Sequence, residues 1–135
     1  MKKNGDTTVL FSSACLKVNK RNKTQERQVV LTEKAIYNLI PKSFKCKRRI
    51  PLDQLTAISL STLADNFIAL HCIDYDYLLI LFRKTEFVNL LLSHFSNLPK
   101  RFNVNLSDSF VYRADKSNLC ERLFLNQLRQ KMGQV

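Results

Sequence analysis

The spacing of the apolar residues changes once along this chain, and that change constrains the fold more than any other feature. From Val9 to Phe82 they come in short runs between charged or polar turns: VLFSSACLKV, a run from about Glu26 to Thr32, AIYNLI, IPL, TAISLS, NFIALHCI and DYLLILF. Several of these alternate with period two, as half-buried strands do. Leu10, Ser12, Ala14 and Leu16 share one face of the first run, and Ala57 and Ser59 fall opposite Ile58 and Leu60. From Phe87 the spacing turns helical. Phe87, Leu90, Leu91, His94, Phe95 and Leu98 form one stripe, with Thr85 placed to cap its start, Glu86 at the positive end of the dipole and Pro99 to stop it. An amphipathic helix that follows antiparallel strands must bury its stripe against the face or open end of their sheet. The spacing therefore predicts a mainly β domain of about seven strands covered by one helix.

Local signals refine the pattern. Glu33-Lys34 is so short a connection that the second and third strands must be antiparallel neighbours. Pro51, between Ile50 and Leu52, suits an edge strand. FNVNL and SFVYRA read as a further C-terminal hairpin across Ser107-Asp108. Leu119 to Phe124 reads either as a strand or, with Asn118 and Glu121 as a capping box and Leu125, Leu128 and Met132 behind it, as a helix. The domain is expected over residues 9–126, between a loose segment 1–8 and a tail 127–135.

The charge is concentrated. Between Lys17 and Arg49 there are eleven basic residues against Glu26 and Glu33, a local net of +9 within a total of +11. One part is the loop after the first strand, with Lys17, Lys20, Arg21, Lys23 and Arg27. The other, Lys42, Lys45, Lys47, Arg48 and Arg49, is expected at the turn after the third strand. Such a patch calls for an anionic partner. Nucleic acid is disfavoured because no aromatic residue lies between Lys17 and Arg27 for bases to stack on. Phosphorylated lipid headgroups fit better: a lysine late in one strand and an arginine early in the next, Lys17 and Arg27, can hold one phosphate from two sides. Lys20, Arg21 and Lys23 would add general attraction to an anionic leaflet. The alternative reading of the same patch is a protein-interaction domain for an acidic or phosphorylated partner.

Enzyme chemistry finds little support. The only glycines are Gly5 and Gly133, so there is no phosphate-cradling loop. His71 lies in an apolar run and His94 in the helical stripe, which suits core or rim histidines better than catalytic bases, and Asp74 and Asp76 read as solvated turn carboxylates. Cys15, Cys46, Cys72 and Cys120 are scattered, without metal-ligand spacing, and read as reduced, mostly buried thiols. No apolar run reaches the ~20 residues of a membrane-spanning helix, so membrane contact would be peripheral. No cofactor and no metal are expected.

Three segments together, VLFSSACLKVNKRNKTQERQVVLTEKAIYNL, RRIPLDQLTAISLSTLADNFIALH and EFVNLL, resemble the tail-homology domain of class I myosins over about Val9 to Asn126. The resemblance implies a pleckstrin-homology-like fold, a strongly bent antiparallel sheet closed at one end by a helix. It also implies phosphoinositide and anionic-lipid binding through the position of Lys17 and that of Arg27, with Tyr37 a further candidate from pleckstrin-homology domains in general. The family's pattern places a basic residue two before that arginine; here Gln25 stands there. The partners implied are anionic membrane lipids, with a motor or cytoskeletal partner open, at the inner face of the plasma membrane or of endomembranes. These 135 residues carry neither motor nor calmodulin-binding helix, which fits a piece of a longer myosin or a free-standing tail-like domain.

Overall fold

In the computed structural model the described residues are 5, 8–19, 21, 23–61, 66–93, 102–106, 109–113 and 120–124. Seven strands precede the helix: β1 (Val9–Val18), β2 (Thr24–Thr32), β3 (Ala35–Leu39), β4 (Cys46–Pro51), β5 (Leu55–Leu60), β6 (Phe67–Cys72) and β7 (Tyr77–Ile80). Helix α1 spans Lys84–Ser93, and β8 (Asn103–Leu106), β9 (Ser109–Arg113) and β10 (Cys120–Phe124) follow. The main sheet has eight strands in the order β4-β3-β2-β1-β7-β6-β5-β8 and does not close into a barrel. All its pairings are antiparallel except β5 with β8, which is parallel.

Alternation along the strands sorts residues between two faces. The inner face carries the main core, in which Phe11, Cys15, Val29, Leu31, Ile36, Ile50, Ile58, Ile68, Leu70 and Leu79 pack together. α1 lays Phe87, Val88 and Leu91 into the same core, and the Phe87 ring meets Phe11 edge-on at 5.5 Å. The outer face of β2 and β3 has its own cluster of Val30, Ala35, Tyr37 and Leu39. Ser12, Ala14 and Leu16 share the more exposed face of β1, whereas Leu10, at the register shift between Val9 and Phe11, packs against the main core.

Two details differ from the expected pattern. α1 begins at Lys84, so Thr85 lies inside the first turn; the carbonyl that accepts the Phe87 N–H belongs to Arg83, whose guanidinium binds Glu86 (Nε to Oε2, 2.7 Å). Residues 94–101, including His94, Phe95, Leu98 and Pro99, lie outside the described residues. The C-terminal pair is formed by β9 and β10, not across Ser107-Asp108: β8 leaves to extend the main sheet along β5. Asn103–Leu106 reaches the otherwise unpaired edge of β5, and completing that ladder satisfies a row of backbone groups a local turn would leave open. Cys120–Phe124 is a strand.

Candidate functional site

Antiparallel succession puts the β1–β2 connection, the β3–β4 connection and the turn before β7 at one end of the bent sheet, since Val18 pairs with both Thr24 and Leu78. Several inner-face cations meet there. Lys17 pairs with Gln25 and Arg27 with Cys15, so the two cations are diagonal neighbours on one face, with Gln25 directly opposite Lys17. Across two strands, Arg48 of β4 pairs with Asn38 of β3, on the face of Ile36 and Ile50.

The second basic cluster is therefore only partly a turn. Lys42 and Lys45 lie in the β3–β4 connection, whereas Lys47, Arg48 and Arg49 belong to β4 itself. The register slips between Asn38 and Leu39, with Cys46 opposite Leu39 and Arg48 opposite Asn38, so Lys47 is the extra residue of a bulge.

Aromatic rings hold these cations in place. The Arg48 guanidinium lies 3.8 Å from the Tyr75 ring centre and 4.6 Å from that of Tyr77, and its Nη2 donates to the Tyr75 carbonyl at 2.9 Å. Lys17 Nζ sits 4.9 Å from the centre of the same Tyr77 ring. Two cations thus share one aromatic surface, which offsets part of their mutual repulsion. The repulsion persists: burial first, then Arg27, Arg48 and Lys47, hold the Lys17 ammonium below its usual pKa. Burial foremost, with Tyr75 adding, pushes the Tyr77 hydroxyl up to about 12, against the pull of Arg48 and Arg27.

Polar atoms at this end lack protein hydrogen-bond partners. They are Arg27 Nε, Arg48 Nη1 and both side-chain atoms of Asn38, all buried; Asn38 as a whole is 2% exposed. Arg27 spends its other nitrogens locally, Nη1 donating to the Glu26 carbonyl at 2.7 Å and Nη2 to Gln25 Oε1 at 3.4 Å. Three of these atoms, Arg27 Nε, Arg48 Nη1 and Asn38 Nδ2, are donors, and buried donors without acceptors are costly unless an acceptor meets them.

The remaining sequence candidates divide by position. Arg21 and Lys23 are exposed on the β1–β2 connection, where Asn19 Oδ1 accepts from both of their backbone N–H groups, at 2.8 and 3.1 Å. Lys20 lies outside the described residues. Lys42, Lys45 and Lys47 are exposed. Tyr37 is not brought to the site: it faces the outer cluster at 3% exposure and its hydroxyl accepts from Arg49 Nε at 2.9 Å. Arg49, next to Arg48 on β4, therefore serves that outer face as well. Asn38, Tyr75 and Tyr77 were not among the sequence candidates. A lone amide inside the apolar AIYNLI run was the available signal for Asn38.

Asp76, expected as a solvated turn carboxylate, is buried. Its Oδ1 accepts the Cys72 N–H at 3.1 Å and its Oδ2 lies 2.9 Å from His71 Nδ1. His71 Nε2 is 2.7 Å from Ser59 Oγ. The order serine, histidine, carboxylate matches a hydrolytic triad, but Ser59 is 7% exposed and lies on the strand ladder beside Ala69. With Asp76 ionised, His71 donates to it and accepts from Ser59, so the line ties β5, β6 and the turn before β7 together. Of the thiols, Cys15 and Cys72 are buried and Cys46 is exposed. Among the described residues no group of three or more His, Cys, Asp or Glu could hold a metal ion, and no helix is long and apolar enough to cross a membrane.

Comparison with known proteins supplies an independent line. The family model of the unconventional myosin tail, described as actin- and lipid-binding, matches residues 1–132. Myosin heavy chain IB of Acanthamoeba castellanii is 33% identical over 111 residues, 77% of this chain and 10% of that protein. Myosin IB heavy chain of Dictyostelium discoideum is 32% identical over 124 residues, 86% of this chain and 11% of that one. Unconventional myosin-Ig of Mus musculus is 30% identical over 116 residues, 78% of this chain and 11% of that protein. The chain thus spans about a tenth of these relatives. Among solved structures, the hSac2 domain of the human phosphoinositide phosphatase Sac2 superposes with a TM-score of 0.55 at 10% identity, covering 74% of this chain and 77% of that one. A Vav1 structure gives 0.58 at 14% identity, over 72% of this chain and 20% of that one. These two likenesses concern the pleckstrin-homology-like fold.

Proposed function

Because the chain belongs to the unconventional myosin tail family, described as actin- and lipid-binding, we propose that it is a peripheral membrane module whose inner-face cations grip a phosphorylated lipid headgroup. The observation that carries this reading is the set of buried, unpartnered donors on Arg27, Asn38 and Arg48 beside Lys17. A phosphate oxygen is the acceptor that Arg27 Nε, Asn38 Nδ2 and Arg48 Nη1 lack. Arg27 and Arg48 provide planar donors, Lys17 a point charge, and Asn38 an amide that distinguishes an oriented headgroup from diffuse negative charge. A bound anion also relieves the repulsion that, after burial, helps to lower the Lys17 pKa.

Around this grip, Arg21, Lys23, Lys42, Lys45 and Lys47 provide the long-range field, worth roughly 1 kcal/mol each near an anionic surface. Phosphoinositides meet both requirements, and they place the module at the inner face of the plasma membrane or of endomembranes. Tyr37 has no part in the grip, since it faces the other side of the sheet. A motor or cytoskeletal partner agrees with the family's description. Nothing in the proposed role requires catalysis, a cofactor or a metal.

The test is co-sedimentation with vesicles across a lipid-composition series at two salt concentrations. Phosphoinositide vesicles should bind more tightly than phosphatidylserine vesicles of equal charge, and Lys17→Ala, Arg27→Ala and Arg48→Met should remove that preference. Equal binding of folded Arg27→Ala and parent would show that the grip is misassigned. Equal binding at matched charge would reduce the interaction to the electrostatic field.

A further inference from the structure

The β3–β4 connection presents an aromatic side chain to solvent from a backbone that resists it. Phe44 is 60% exposed, yet its φ is +55°, and Lys42 two residues earlier has φ +70°. A bulky residue in the left-handed region is an outlier that the surrounding structure must enforce. Here a closed hydrogen-bond set enforces it. The Phe44 N–H donates to the Ile40 carbonyl at 2.8 Å, Ser43 N–H to the Pro41 carbonyl at 2.8 Å, and Ile40 N–H to the Lys45 carbonyl at 2.9 Å. The Lys45 N–H donates to Ser43 Oγ at 3.3 Å. The loop therefore holds Phe44 outward in one conformation.

Its neighbours have a single sign of charge. Lys42, Lys45 and Lys47 are exposed around Phe44, and no acidic residue occurs between Glu33 and Asp53. The loop also belongs to the end of the sheet where Lys17, Arg27 and Arg48 converge. An exposed apolar ring fixed among lysines at that end has the composition of a membrane-interface anchor: the ring enters the headgroup–acyl boundary while the lysines remain with the phosphates.

We propose that Phe44 inserts into the bilayer interface when the domain docks on an anionic membrane, giving it a second, apolar point of attachment beside the headgroup grip. The inference rests on the membrane reading above, and the experiment separates the two. The chain contains no tryptophan, so Phe44→Trp introduces a single fluorophore at the position in question. On vesicles of phosphatidylcholine, phosphatidylserine and phosphoinositide its emission should shift to the blue and be quenched by lipids brominated along the acyl chain. Phe44→Gly relieves the left-handed backbone, so it should melt no lower than the parent. Its vesicle binding should nevertheless weaken by about tenfold, as expected for losing one partly buried aromatic ring, with soluble inositol-phosphate binding unchanged. Co-sedimentation of Phe44→Trp without any emission change would overturn the insertion and leave the membrane reading intact. Failure of the parent to sediment with any anionic vesicle would overturn both.

Discussion

Replacing Arg48 by methionine separates the binding role of this end of the sheet from its structural one. In the folded protein Arg48 gains two cation–π contacts, on Tyr75 and Tyr77, and one hydrogen bond to the Tyr75 carbonyl. At about 0.5–1 kcal/mol for each ring contact and about 1.5 kcal/mol for the charged hydrogen bond, these stabilise the fold by roughly 2.5–3.5 kcal/mol. Against them stand a buried Nη1 without a protein acceptor and repulsion from Lys17. The unpartnered donor alone costs about 1–3 kcal/mol. Methionine retains the apolar stem against the tyrosines and removes both penalties. The two sides nearly cancel, so Arg48→Met should melt within a few degrees of the parent. Phosphoinositide binding should behave differently. Loss of a charge-assisted pair to phosphate, about 1.5–3 kcal/mol, weakens it roughly 10- to 150-fold. Thermal melts and vesicle titrations on the same preparations test both halves. A large fall in melting temperature with unchanged affinity would show that Arg48 is a structural residue and that its free donor has no ligand to meet.

Further outcomes follow from other parts of the structure. Asp76→Ala strands the Cys72 N–H and His71 Nδ1 and should destabilise the domain by about 2–4 kcal/mol in denaturant unfolding, whereas a change within 0.5 kcal/mol would mean that the line to Ser59 contributes nothing. Phe87→Ala, emptying a fully buried site against Phe11, should cost about 3–5 kcal/mol in the same assay. Burial pushes the Cys15 thiol up to about 12 from 9.0, so unfolding releases protons in that window and stability should fall as pH rises from 9.0 towards about 12. Tyr77, raised from 10.0 to about 12, acts in the same direction, while Lys17, lowered from 10.5, acts against both just below 10.5. The alkaline slope of stability should therefore be shallower in Cys15→Ala than in the parent; an unchanged slope would count against the buried thiol as its source. Tyr37→Phe should leave vesicle binding intact because the hydroxyl meets Arg49 on the outer face.

Local signals were legible where neighbouring residues decide the outcome. VLFSSACLKV became β1 from Val9 to Val18, and the change of period at the helix was real. Side-chain preference favours threonine as the cap, whereas the first turn closes from the Phe87 N–H to the Arg83 carbonyl, one turn that already contains Thr85. Register over several strands was less legible. Lys17 and Arg27 could be paired from adjacent runs, but the meeting with Arg48 depends on the bulge at Lys47 and on two intervening ladders. Tyr37, a candidate only through the resemblance, lies in the outer-face cluster, while its neighbour Asn38 pairs with Val29 of the main core. Asp76 looked like a turn carboxylate because its partner, the Cys72 N–H, is a backbone group that no side-chain pattern announces.

The parallel pairing of β8 has a consequence for the order in which the chain can become safe from self-association. Ala57 meets Asn103, so the outer edge of β5 waits for residues forty-six positions later, beyond the helix. During synthesis the sheet of β1 to β7 can form first, and until β8 arrives it exposes a bare ladder of N–H and C=O groups with Ile58 and Leu60 beside it. A nascent or truncated chain ending near Ser93 would present that edge to its copies, and strand exchange between chains is the form its misassembly would take.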